Sequence, residues 1–268
     1  EIIQRDWSSD VCSSDLKHAR RMIALAGCVQ PSMRPSINAA TARVLDLLGI
    51  SLVEQASAGC CGAVRFHLHD QDGGREDARR NIDAWWPEIA AGRVEAIVVT
   101  ASGCGVQVKD YGHLLKDDPA YALKAARVAA LTRDPAEVVA AEAAALQAVL
   151  ARRRAPASEQ KIAVHAPCSL QHGQKIRGVV EGLLGAAGYV LTPVADGHLC
   201  CGSAGTYSLL QPGLSRQLRD NNLAALGAGS PERIVSANIG CIEHLCGAAT
   251  VPVQHWIELI DEKITNLA

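Results

Sequence analysis

The chain reads as an α/β protein of two pseudo-symmetric repeats, each a small, mainly parallel sheet flanked by helices, with cysteines at the strand ends. Three observations lead there. A cysteine pattern occurs twice: a lone cysteine, a Cys-Cys-Gly 32 positions later and a further cysteine beyond it, at Cys28, Cys60, Cys61, Cys104 and again at Cys168, Cys200, Cys201, Cys241. The copies are offset by 140 residues at the first three positions and 137 at the last, and they use eight of the ten cysteines. Between the cysteines, short apolar runs alternate with helical periodicity, and glycines close the helical stretches.

Residues 1–16 are set aside. Residues 6–16, DWSSDVCSSDL, match the translation of a common sequencing-adapter oligonucleotide at every position, so the segment reads as an assembly scar and Cys12 leaves the ligand count. The first repeat is placed at 17–154 and the second at 155–268, with a basic, Ala/Pro/Ser-rich boundary at 152–158. In the first, residues 22–26 form a strand delivering Gly27-Cys28. A helix follows, with Ile37, Ala40, Val44, Leu47 and Leu48 at helical spacing and Gly49 as its cap. Residues 50–53 make a strand before Gly59-Cys60-Cys61-Gly62, residues 77–91 a helix closed by Gly92, and residues 96–100 a strand delivering Gly103-Cys104. At least one of Trp85 and Trp86 belongs to the core. Residues 134–154 are an alanine-rich helical stretch. The second repeat gives strands at 161–164, 189–194 and 233–237, helices at 176–187 and 214–226, then a strand or turn from Val251 and a helix through Ile264.

Of 26 basic and 28 acidic residues, one basic and four acidic fall in residues 1–16, so the remainder carries 25 against 24 and a net charge of +1. That balance gives no nucleic-acid footprint. No apolar run reaches membrane-spanning length. Many cysteines without a secretion signal fit a reducing compartment, and the cytoplasm is expected.

Adjacent Cα atoms lie about 3.8 Å apart, too close for a Cys-Cys pair to favour bonding to itself. Ligation suits the pattern better, because thiolates are the soft ligands of zinc and of iron-sulfur clusters and four are the usual complement for either. Gly62 and Gly202 supply the backbone freedom that brings neighbouring sulfurs to one centre. Residues 202–205, Gly-Ser-Ala-Gly, are expected to aim backbone amides at sulfur. His165, His198 and His244 stand near the cysteines; donors to sulfur are one reading of them, and locally satisfied polar residues are the simpler one.

The doubled pattern resembles the cysteine-rich domain pair of the heterodisulfide-reductase-type iron-sulfur proteins. The residues between the motifs narrow the likeness. Gly27-Cys28-Val29-Gln30-Pro31, INAATARVLD at 37–46, Gly59-Cys60-Cys61-Gly62-Ala63, NIDAWWP at 81–87, TASGCG at 100–105, residues 198–207, RQLRDN at 216–221 and SANIGC at 236–241 are similar to the iron-sulfur subunits of glycolate oxidases.

The resemblance implies one or two iron-sulfur clusters of the 4Fe-4S type, held by Cys28, Cys60, Cys61 and Cys104 and by Cys168, Cys200, Cys201 and Cys241. It implies FAD-binding glycolate oxidase subunits as partners. Electrons would pass from their flavin toward a quinone or another membrane acceptor, at the inner face of the membrane, with no catalysis by this chain alone. No G-x-G-x-x-G follows the first strand, so flavin is not expected here. The family's ferredoxin-like segment is absent, and the chain reads as the C-terminal part of a longer subunit. The heterodisulfide-reductase catalytic subunits end each motif with C-x2-C; the matching positions here are Gln107 and His244, leaving four thiolates per set. Cys246 fits neither set and is read as a small buried hydrophobe. Two alternatives stay open: a centre that reduces a disulfide or quinone directly, and a zinc-stapled interaction module.

Overall fold

The computed structural model describes residues 18–152 and 159–265. The adapter-like segment and most of the expected boundary, 153–158, lie outside the described residues. Each half builds a four-stranded parallel sheet. In the first, β1 (Arg20–Ala24) lies between β2 (Ile50–Glu54) and β3 (Ala96–Val98), with β4 (Thr132–Arg133) beyond β3. In the second, β5 (Lys161–Val164), β6 (Val190–Leu191), β7 (Arg233–Ser236) and β8 (Val253–His255) repeat that order. The chain leaves the central strand first to one side and then to the other. The carboxyl edges therefore meet at a topological switch point, where open α/β sheets bind ligands. Alternation along the strands buries both faces of the first sheet. Met22, Ala24, Ala96 and Val98 face one apolar cluster, and Ile23, Leu25, Ile97 and Val99 the other.

Most helices follow their sequence signals. The Pro35–Leu47 helix buries Ile37, Ala40, Val44 and Leu45, and Gly49 ends it at φ 80°. The Gln71–Ala90 helix starts six residues before its apolar periodicity, because Asp70 caps it by accepting from the Gly73 amide at 3.0 Å. Trp85 is fully buried and Trp86 partly so. The alanine-rich stretch is two helices, Pro135–Ala141 and Ala143–Arg152, with a break at Glu142, whose carboxylate pairs with Arg20 at 2.8 Å. Asp134 and Glu137 form a capping box at the first of them.

The two halves interlock. The helix after β4, Pro135–Ala141, packs on the Val179–Ala186 helix of the second half, and the helix after β8, Trp256–Thr265, packs on the Pro35–Leu47 helix of the first. One apolar cluster consequently runs from Ile37 and Leu45 through Ile162 and Leu184 to Trp256 and Ile260. Polar bonds cross the same junction: Ser102 N donates to Ala237 O at 3.0 Å, Gly103 N to Asn238 Oδ1 at 3.1 Å and Arg34 Nε to Glu243 Oε1 at 2.7 Å.

His255 sits at this junction, fully buried. Its Nδ1 accepts from Ile257 N at 3.2 Å, so the neutral ring donates from Nε2 to Thr100 O of the other half at 3.0 Å. Burial lowers its pKa to about 4. With a folded pKa below the unfolded value of about 6.5, the unfolded chain binds more protons between those limits, and stability falls as pH drops through them. Urea unfolding at pH 5 is expected to give a free energy below that at pH 7, with His255 contributing on the order of 1–2 kcal/mol. His255→Gln is expected to flatten that slope; an unchanged pH dependence in the variant contradicts the assignment.

Candidate metal centres

The eight cysteines of the repeated pattern gather as two sets of four, one off the carboxyl edge of each sheet. Cys28 and Cys168 follow the central strands β1 and β5, and the Cys-Cys-Gly turns follow β2 and β6. Cys104 and Cys241 lie a few residues past β3 and β7, in the first turns of the Ser102–Lys109 and Ile239–Cys246 helices. That placement is favourable, since the positive end of a helix stabilises a thiolate. The turns need glycine. Gly62 and Gly202 have φ of 84° and 88°, and a Cβ on Gly62 would lie 2.7 Å from Gly74 O, while one on Gly202 would overlap Ser215 O. This curl points amides at sulfur: Gly62 N lies 3.5 Å from Cys60 Sγ and Gly202 N 3.3 Å from Cys200 Sγ. The amides of Ala63 and Ser203 reach Cys61 and Cys201 in the same way.

Side chains hold the turns from behind. Gly59 N donates to Asn81 Oδ1 and Asn81 Nδ2 donates to Cys60 O, both at 2.8 Å, while Tyr111 Oη donates to Cys61 O at 2.9 Å. In the second set Asn222 Nδ2 donates to Leu199 O at 3.4 Å and Ser215 Oγ to Gly202 O at 2.8 Å. Sequence reading missed these supports. The signal available was the repeat itself, because Asn81 and Asn222 are 141 residues apart, nearly the cysteine offset.

Within each set the sulfurs share protons. Cys28 Sγ donates to Cys60 Sγ at 3.5 Å, and Cys61 bonds Cys60 and Cys104. The hydrogen bonds they donate, together with burial, hold Cys28 and Cys61 above the usual thiol range; receiving them holds Cys60 and Cys104 below it. The second set repeats the arrangement, with Cys168 and Cys201 raised by the bonds they give and Cys200 and Cys241 lowered by those they accept. Ionising all four would crowd like charge into a half-buried site. A cation lifts that limit and permits four thiolates, the form that ligates. The donor set suits zinc or an iron-sulfur cluster.

The other residues singled out separate clearly. His165 is buried, its Nδ1 is 2.9 Å from Ser236 Oγ, and a ring nitrogen lies within 4.8 Å of the Cys201 and Cys241 sulfurs. Burial lowers its pKa to about 4, so the ring is neutral at pH 7. His244 contacts Ser215 Oγ at 3.1 Å instead of sulfur, and His198 is exposed. Gln107 is buried on the Ser102–Lys109 helix. Cys246 stands apart, half-buried against the core, with Sγ 3.6 Å from Val253 O.

Two parallel sheets that each present four clustered thiols at a carboxyl edge define a tandem thiolate-centre protein. The family model described as CCG, cysteine-rich domain, matches residues 23–109 and 162–245, and the chain belongs to that family. It is similar to the Escherichia coli K12 glycolate oxidase iron-sulfur subunit, 53% identical over 93% of this chain and 59% of that protein. A Bacillus subtilis relative described as an iron-sulfur subunit of the same kind is 30% identical over 86% of this chain and 52% of its own length. Lactate utilization protein A of an Exiguobacterium strain is 26% identical over 88% of this chain and 95% of its own. The chain thus spans between half and three-fifths of the first two relatives.

Two glycines offer a direct check on the turn geometry. Gly202→Ala is expected to cost at least about 2 kcal/mol in stability, from left-handed backbone strain plus the overlap with Ser215, and to abolish metal uptake at the second set. Gly205→Ala, at φ 59° with nothing within 4 Å of a new Cβ, is expected to cost about 1 kcal/mol and to retain uptake. Equal effects in chemical denaturation and metal titration contradict this reading.

Proposed function

We propose that the chain is the cysteine-rich part of an iron-sulfur subunit that carries electrons out of a flavin-dependent 2-hydroxy-acid oxidising complex, with glycolate as the substrate. The observation that carries this reading is the pair of four-sulfur sets, each built to become fully ionised around a cation. When bound, 4Fe-4S clusters at the two sets would supply one-electron storage. Cys28, Cys60, Cys61 and Cys104 would hold one, and Cys168, Cys200, Cys201 and Cys241 the other. The glycine-turn amides offset the negative charge of the thiolates, and the asparagines behind the turns fix the carbonyls that would otherwise point inward. The glycolate oxidase and lactate utilization names of the relatives support the substrate class, and they imply an FAD-binding partner subunit as the source of electrons. A quinone fits as the acceptor, reached from the cytoplasmic face; no described helix is long and apolar enough to cross a membrane.

A second reading has an observation of its own. His165, Cys201 and Cys241 converge within 4.8 Å, which also suits structural zinc with mixed nitrogen and sulfur ligands. In that case the chain would be a metal-stapled interaction module.

Cys201→Ser in the assembled complex separates relay from chemistry. The variant is expected to lose cluster content at the second set and electron delivery to an external acceptor, while stopped-flow reduction of the partner's flavin by glycolate stays within about twofold of wild type. Flavin reduction falling in parallel with delivery contradicts the relay role.

A further inference from the structure

The two sulfur sets share a backbone but not a setting. Leu25 N donates to Val98 O at 3.0 Å in the first half, and His165 N donates to Val235 O at 2.8 Å in the second, so Leu25 and His165 occupy equivalent places. Their neighbours differ in the same sense. The partner of His165, Ser236, stands where the first half has Val99, and Asn238 stands where it has Ala101. Asn238 Nδ2 donates to Cys241 Sγ at 3.4 Å, and a ring nitrogen of His165, whose Nδ1 is bonded to Ser236 Oγ, lies within 4.8 Å of the Cys201 and Cys241 sulfurs. Leu25 and Ala101 can donate nothing from their side chains, and the cation beside the first set, Arg80, donates to Cys60 O at 3.0 Å and to Asp77 Oδ1 at 2.6 Å, which offsets its charge, instead of to sulfur. Hydrogen bonds to cluster sulfur favour the reduced, more negative state and raise the reduction potential.

His165 also forms part of the wall of a cavity of about 280 Å³. Most of its other walls are apolar, among them Val180, Leu191 and Val194, but Arg177, Glu181, Gln171 and Thr192 also line it, and no cysteine does. A molecule seated there is one imidazole away from the second sulfur set. Apolar walls with a few polar groups suit a small ring compound carrying carbonyls.

We propose that the second set is the exit centre: His165 and Asn238 hold it at a higher potential than the first, and the cavity walled by His165 binds the ring of a quinone-class acceptor. This rests on the reading of both sets as iron-sulfur centres. Reduction there balances as two electrons from 2-hydroxy-acid oxidation on the flavin partner plus two protons from bulk solvent, converting quinone to quinol.

The test is a potentiometric titration followed by electron paramagnetic resonance on the iron-loaded full chain, with equilibrium binding of a short-tailed dimethoxybenzoquinone. Wild type is expected to show two midpoints. His165→Leu, which copies the first half, lowers the higher one and leaves the lower in place. Asn238→Ala shifts it the same way and serves if the histidine variant fails to load. Val194→Phe, which narrows the cavity, weakens quinone binding at least tenfold with both midpoints unmoved. Coincident midpoints in wild type, or midpoints indifferent to both His165→Leu and Asn238→Ala, overturn the tuning. Quinone binding unaffected by Val194→Phe overturns the seat. A wild-type chain that takes up no iron and sulfide sinks the underlying iron-sulfur reading instead.

Discussion

Four sulfurs gathered at one sheet edge and linked in hydrogen-bonded pairs cannot all ionise without a cation among them, and the features around each set serve that one electrostatic problem. Amides of the glycine turns point at two of the sulfurs. Helix first turns hold a third, at Cys104 and Cys241. Asn81, Tyr111, Ser215 and Asn222 tie down the turn carbonyls that would otherwise add negative potential. Within each set Cys28 and Cys61 donate hydrogen bonds to Cys60 and Cys104, which relieves that repulsion. Metal binding and proton release are therefore coupled, and the stability of the carboxyl edge is coupled to both.

The interlocked halves make that edge rigid. Each half ends in a helix that covers the first crossover helix of the other, so neither sheet completes its core alone. The cysteine-bearing segments cross-brace as well. Ser102 and Gly103, just before Cys104, bond to Ala237 O and the Asn238 side chain, just before Cys241. The two sets are mechanically one unit, yet the polar substitutions around the second set give it a chemistry the first does not share.

Much of this was legible in the sequence. The cysteine sets, the strands ahead of them and the glycine-closed helices depend on local spacing and periodicity, which survive folding unchanged. The parts that were not legible depend on contacts remote in sequence. β4 is two residues long, too short to show alternation, and exists because Ile97 and Val98 pair with it. The first turns of the Gln71–Ala90 helix, ahead of the apolar periodicity from residue 77, hold Gly73 and Gly74, poor helix formers; Gly74 fits there because the helix passes against Phe66 and Gly62. The three histidines near the cysteines looked alike in sequence. Only the sheet register, which places residue 165 beside residue 236, distinguishes the buried one at sulfur from His244, held by Ser215, and His198, which faces solvent.

Iron, zinc and acid-labile sulfide per chain, measured on the anaerobically prepared 268-residue chain, bear most directly on the claim that each set becomes fully ionised around an iron-sulfur cluster. Two 4Fe-4S clusters predict about eight iron and about eight sulfide per chain, with little zinc. Stoichiometric zinc without sulfide would contradict the electron-carrying account and leave a metal-stapled structural protein in its place.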